Sequence, residues 1–152
     1  MIVLVINGCL KNRAHAALET YGQQVSQLVK ESDEQVSHPL FETLSGASAK
    51  SPGEVQAQID EQRALAQKQA AHAREISVPG AMGGAQRNLT LALDLRAEGL
   101  TKLAGLVRSA LGGQNPNAIT NIAGAMELFL ASDVIYSQRA APLISQSLAD
   151  NG

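Results

Sequence analysis

Polar residues on otherwise apolar helical patterns are the strongest candidates for a functional site in this chain. A guanidinium, carboxylate and phenol that lie together can bind a polar ligand. Charged residues at a packing stripe more often form ion pairs at the end of a bundle, and the sequence favours that interpretation over a binding pocket. The residues concerned are Arg96, Asp133, Tyr136 and Arg139.

Arrangements typical of enzyme catalysis are absent from the sequence. There is no Gly-x-Ser-x-Gly motif, and Cys9 follows an apolar run instead of lying in a polar site with a histidine. The glycine-rich stretch 80–84 has neither a preceding strand nor the Gly-Lys-Ser/Thr ending of a phosphate loop. We therefore expect no catalytic residue, no cofactor and no enzymatic activity.

Metal ligands are also scarce. The chain has 3 histidines and no Glu-x-x-His pair of the kind found in di-iron bundles. His72 and Glu75 share one helix face, which we interpret as a solvated polar face and not as a ligand pair. The single cysteine excludes an intramolecular disulfide and any zinc site with several cysteines. We expect no metal site.

The charge distribution argues against nucleic-acid binding. The formal net charge is -2, and the basic residues are dispersed instead of forming a stripe. Aromatic residues make up 3% of the chain, so platforms for base stacking are few. We expect a protein or an envelope component as the partner.

The apolar run Met1–Ile6, followed by Asn7-Gly8-Cys9, has three interpretations. It could be a buried strand, the trailing end of a longer transmembrane or signal segment, or a lipoprotein signal with lipidation at Cys9. A strand would need pairing partners, and no second strand is evident. Gly8 suits a lipoprotein signal, whereas Asn7 does not. The membrane-anchor interpretation fits best, with residues 1–9 as its tail.

A first helix is predicted from Leu10 to about Val36. Its apolar positions recur with the spacing of helices that pack in a bundle. We expect His38-Pro39 to end this helix, because the residue before proline is disfavoured in the helical region. A short turn at residues 40–44 would follow. The apolar stripe is formed by Ala14, Leu18, Tyr21, Val25 and Leu28.

A second helix is predicted to begin at Ser51-Pro52. Ser51 can cap the helix, Pro52 suits the first helical position, and Glu54 stands where a capping box needs its carboxylate. The predicted inward positions of this helix are Val55, Ile59, Ala66, Ala73 and Ile76.

A third helix is predicted from about Gln86 to Leu111, and Asn115-Pro116 should open a fourth. We expect a kink or break between residues 132 and 142, and Pro142 in the first turn of a separate final helix. The residues of the fourth helix predicted to point inward are Ile119, Ile122, Ala123, Met126, Phe129 and Leu130.

These elements predict an all-α protein. Ala and Leu, the strongest helix formers, dominate the apolar residues, whereas strand-favouring residues are thin and scattered. Long helices joined by short Gly and Pro loops are typical of an up-down-up-down four-helix bundle, here with a short extra C-terminal helix. The bundle domain would span residues 10–152.

Several segments resemble a family of actinobacterial single-pass membrane-anchored helical proteins that has no assigned activity. These segments are Gly8-Cys9-Leu10, Ala85-Gln86-Arg87, Leu95–Leu100 and Ala131–Tyr136. The resemblance implies an N-terminal anchor and a domain on the outer face of the cytoplasmic membrane.

The sequence therefore predicts a non-enzymatic, envelope-associated helical bundle that binds a partner protein or an envelope component. The alternative is an extracytoplasmic bundle that senses a small molecule held between its helices. Small residues on the second helix, Ala66, Ala70 and Ala73, could leave room for such a ligand.

Overall fold

The structure, a computed structural model, describes the backbone of residues 2–113 and 116–151 and the side chains of residues 12–113 and 116–151. Within these ranges the protein is an all-α helical bundle without strands, built from four long helical segments. The α-helices are α1 Ile2–Ser32, α2 His38–Ser45, α3 Pro52–Glu75, α4 Gly83–Leu111, α5 Ala118–Ile135 and α6 Ala141–Asp150. The bundle fold is as predicted, while the up-down-up-down order of the helices stays a prediction.

The first segment continues past the position where we predicted its end. A π-helical turn, Asp33–Ser37, joins α1 to α2 without a break, and the backbone N–H of His38 donates to the carbonyl of Asp33. Pro39 lies in the first turn of α2, where its missing N–H costs little. The prediction that His38-Pro39 ends the helix was therefore wrong.

The start of α3 confirms the predicted capping box. The Glu54 amide donates to the Ser51 hydroxyl at 3.3 Å, and the Ser51 amide donates to the Glu54 carboxylate at 2.8 Å. Pro52 occupies the first turn, and the inward positions predicted for this helix are buried. After α3, a 3-10 turn, Gly80–Met82, leads directly into α4, which therefore begins at Gly83 and not at Gln86.

A second π-helical turn, Tyr136–Ala140, joins α5 to α6. It lies inside the range where we predicted a kink or break, and Pro142 falls in the first turn of α6 as expected. The short extra C-terminal helix is thus present as a continuation of the last long segment.

The core divides into two clusters along the bundle. The first cluster joins the C-terminal half of α1 to the end of α3, the start of α4 and the last segment. The second joins α2 and the start of α3 to the end of α4 and to α5. Large members of the first cluster are Tyr21, Met82 and Leu89, and those of the second are Leu40, Ile59, Leu100, Leu103 and Phe129.

The inward face predicted for the fourth helix was wrong in part. Phe129 is buried, and Ile122 and Met126 are partly buried, whereas Ile119, Ala123 and Leu130 are exposed. The helix packs on α4 through Ala118, Ala125, Phe129 and Ser132. Because α5 is apolar on nearly every side, its pattern does not single out one face.

The N-terminal run is helical in the structure. Residues 2–10 continue α1, so the strand interpretation was wrong, while the anchor, the boundary after residue 9 and the lipoprotein signal stay predictions. The side chain of Cys9 lies outside the described residues. Among the described residues, the segment Ala118–Asp150 is long and apolar enough to cross a membrane, and the mean hydropathy of its most apolar stretch is 1.4.

Candidate functional site

A layer of buried polar residues separates the two core clusters. Each long segment contributes one such residue, which lies along its helix between a member of the first cluster and a member of the second. Burial of these polar side chains costs free energy unless each finds hydrogen-bond partners inside the bundle. The four residues are Ser32, Gln69, Arg96 and Ser132.

Arg96 is the centre of this layer. Its side chain is 7% exposed, and its Nη1 donates to the hydroxyl of Ser32 at 2.7 Å and to Oδ1 of Asp33 at 3.1 Å. Its Nη2 donates to Oδ1 of Asp133 at 2.5 Å. One guanidinium on α4 thus holds the first and last long segments together at the points where their π turns lie.

A cavity of about 330 Å³ opens beside this guanidinium. Two carboxylates face one guanidinium there, and both aspartates are more than half exposed, so the cavity carries an excess of negative charge. The residues that line it are Val29, Asp33, Arg96, Asp133, Val134, Tyr136 and Ser137.

Tyr136 lines this cavity, and the other tyrosine, Tyr21, lies in the first core cluster. Burial raises the pKa of Tyr21 to about 12, with a smaller contribution from Tyr136. Burial also raises the pKa of Tyr136, and the charge of Asp33 adds to the effect. The Tyr21 hydroxyl donates to the Gln86 carboxamide oxygen at 2.9 Å, and the Gln86 amide donates to the carbonyl of Ala73 at 2.6 Å. Both phenols are therefore neutral near pH 7.

The structure brings together three of the four predicted site residues: Arg96, Asp133 and Tyr136. Arg139, one turn beyond Tyr136, is exposed and does not line the cavity. Asp33 completes the site, and sequence reasoning missed it because it lies 63 positions from Arg96 along the chain. One signal was available, since the dipeptide Ser-Asp occurs at both 32–33 and 132–133.

A second, smaller cavity of about 240 Å³ lies between α1 and α3. Gln69 lines it, is 6% exposed, and neither its carboxamide oxygen nor its nitrogen has a hydrogen-bond partner among the described residues. A buried amide without partners costs free energy, which a bound water or ligand would recover. The rim of the cavity is polar, with Glu31, Lys68 and His72.

An exposed apolar stripe runs along α5. Ile119, Ala123, Met126, Leu130 and Val134 recur at spacings of four, three, four and four residues, which place them on one helix face. Ile119 is 86% exposed, Leu130 66% and Val134 49%. We call these five residues the α5 stripe. Met126 is partly buried against the second core cluster, and among the described residues no element covers the other four.

Within residues 12–113 and 116–151, whose side chains the structure describes, no group of three or more histidine, cysteine or acidic side chains could hold a metal ion. The pair His72 and Glu75 lies on an exposed face, with Nδ1 and Oε2 3.9 Å apart. Comparisons with protein-family models, with curated proteins and with solved structures found no match to this chain.

Proposed function

We propose that this protein is a non-enzymatic helical bundle of the bacterial cell envelope that binds a partner protein through the α5 stripe. The observation that carries the proposal is the exposure of Ile119 and Leu130 on a helix whose other face is packed. A row of large apolar side chains in water is typical of a surface that another protein covers. The spacing of the stripe suits a helix as the occupant.

Site-specific photocross-linking in the native host tests this proposal. A photoreactive phenylalanine analogue at position 119 or 130 should give an adduct of one size, whose second component is identified by mass spectrometry. The same analogue at Glu61, an exposed position on α3, is the matched control and should give no such adduct. Equal labelling at all three positions would contradict the proposal.

We further propose that the bundle is anchored to the membrane and lies on its extracytoplasmic side. Support comes from the apolar run Met1–Ile6 and from the family resemblance. Protease added to intact spheroplasts should digest a membrane-bound bundle. A soluble protein that is protected from the protease would overturn this part of the proposal. It would not bear on partner binding through the α5 stripe.

A second candidate function is the sensing of a small polar molecule in the cavity at Gln69. The unpaired carboxamide favours it, since a ligand with its own donor and acceptor could pair with both amide atoms. A thermal-shift screen of amides, amino acids and nucleobases tests this function. Gln69→Leu should raise the melting temperature of the free protein and abolish any shift. No shift across the screen would remove this candidate.

A further inference from the structure

The two charged residues of α5, Glu127 and Asp133, are both acidic. At about 100° per residue, Glu127 lies roughly 60° to one side of the stripe and Asp133 roughly 60° to the other. Both side chains are exposed. No lysine or arginine occurs in the sequence between Arg108 and Arg139. The apolar surface of α5 is therefore bordered by carboxylates on both sides.

The stripe also leads into the cavity beside Arg96. Val134 belongs to both, and Asp33 and Asp133 stand at the cavity with one guanidinium between them. Each of these aspartates bonds to Arg96 through Oδ1, and each side chain remains more than 60% exposed. The acidic border thus consists of Glu127 on one side of the stripe, Asp133 on the other and Asp33 beside its Val134 end.

We propose that the occupant of the α5 stripe is an amphipathic helix of another protein, with an apolar stripe flanked by lysine or arginine. The inference rests on the proposed function and names the chemistry of its partner. A basic side chain at the end of that helix lies against the exposed sides of Asp33 and Asp133, outside the guanidinium of Arg96. Opposite charges across the border favour this partner and disfavour acidic competitors.

Two other occupants fit the charges less well. A second copy of this chain would bring Glu127 and Asp133 against the same acidic border, where like charges repel. A bilayer would require Glu127 and Asp133 to leave water for the hydrocarbon, or the acidic border to face anionic headgroups. A basic amphipathic helix avoids both costs.

Two synthetic helical peptides test the inference on the full chain. They carry the same apolar heptad stripe, one flanked by lysines and the other by glutamates, and binding is followed by fluorescence anisotropy. We expect the lysine peptide to bind at least about tenfold more tightly and to weaken as salt rises. Glu127→Lys should remove most of this preference, whereas Glu61→Lys, the same change on exposed α3, should leave it in place. Leu130→Ser should weaken both peptides.

The outcomes separate this inference from the function on which it rests. Equal binding of both peptides, lost in Leu130→Ser, would overturn the charge assignment and leave helix binding by α5 in place. Binding of neither peptide would overturn the inference, and the cross-linking result at position 130 would then decide the proposed function separately. A dimer in sedimentation, or binding to phosphatidylcholine–phosphatidylglycerol vesicles, would also overturn it if Leu130→Ser abolished that behaviour.

Discussion

Gly99 of α4 lies directly under the ring of Phe129 of α5. A Cβ atom at Gly99 would be 2.7 Å from Cε2 of that ring and 3.1 Å from the carbonyl oxygen of Ala125. No real Cβ atom tolerates the first distance, and the ring is buried and cannot swing into solvent. The absence of a side chain at Gly99 therefore sets how closely α4 and α5 pack.

Gly99→Ala should destabilise the protein in spite of the better helix propensity of alanine. Overpacking costs about 1–3 kcal/mol and the propensity gain is about 1 kcal/mol, so we expect a net loss of about 1 kcal/mol. Gly105→Ala is the matched control, since the same helix has open space at that position. That variant should gain about 0.5–1 kcal/mol. Urea denaturation checks both, and equal effects would contradict the close approach.

The ion pairs of Arg96 should be non-additive. Asp33→Asn or Asp133→Asn alone leaves the guanidinium one carboxylate, and each aspartate is largely exposed, so each change should cost about 1 kcal/mol or less. The double variant leaves a buried cation without a counter-charge and should cost about 3 kcal/mol or more. A double-mutant cycle in urea measures the difference. Simple additivity would show that the two carboxylates do not share Arg96.

Local signals in the sequence were sufficient for part of this fold. The start of α3 was predictable because Ser51, Pro52 and Glu54 act on one another within a single turn. The stripe from Leu18 to Leu28 was predictable because the opposite side of α1 is polar. In both places the residues that decide the structure are neighbours along the chain.

The parts of the fold and of the site that were not predicted depend on tertiary contacts. Pro39 would end an ordinary helix, but the π turn before it supplies a different hydrogen-bond register, which no local rule indicates. Asp33, in the π turn after α1, reaches Arg96 of α4 only in the folded bundle. For α5, apolar side chains surround the helix, so several faces fitted the pattern equally well and only the close approach at Gly99 selects one.

The capping box should be visible in the titration of Glu54. The hydrogen bond from the Ser51 side chain, and then that from the Ser51 backbone, lowers the pKa of the Glu54 carboxyl. Because the folded-state pKa is depressed, the stabilisation is present at neutral pH and is lost as pH falls through the lowered pKa. Side-chain NMR should show a higher pKa for Glu54 in Ser51→Ala. An unchanged pKa would contradict the capping box.

Loss of the cap should also appear in stability. Ser51→Ala should cost about 1 kcal/mol at neutral pH, as is usual for a lost N-cap. The exposed residue Ser77 follows the end of α3 and makes no cap, so Ser77→Ala is the control and should change little. A loss of similar size in Ser77→Ala would contradict the cap as the cause of the loss in Ser51→Ala.

The chain has 2 tyrosines, so their ionisation can be followed by absorbance of the phenolate. The folded protein should titrate above the ordinary tyrosine pKa, and Tyr136→Phe should leave one transition, that of Tyr21, near 12. That last value should fall slightly, since the charge of Tyr136 contributes to it. In concentrated urea the tyrosines of the unsubstituted protein and of Tyr136→Phe should titrate near the ordinary pKa of about 10.

The raised pKa of Tyr21 determines how the stability of the protein changes with pH. The folded-state pKa of Tyr21 lies above its unfolded value, so its contribution to stability is complete below the unfolded pKa and is lost as pH rises through the folded one. The loss should reach about 2 kcal/mol between roughly pH 10 and pH 12. Tyr21→Phe should flatten this part of the stability curve, and an unchanged slope would contradict the burial of the hydroxyl.

Substitutions on α5 test which of its faces is buried. In the structure Ile119 and Leu130 are exposed, so Ile119→Ser and Leu130→Ser should each change the stability of the isolated protein by less than about 0.5 kcal/mol. Phe129→Ala, one residue from Leu130, should cost about 3–5 kcal/mol, because it opens a cavity against Gly99. If Ile119→Ser proved as costly as Phe129→Ala, the face predicted from the sequence would be the buried one and the α5 stripe would belong to the core. With the expected result, the apolar character of Ile119 and Leu130 contributes nothing to the fold of the free chain, and its benefit must come from whatever covers α5.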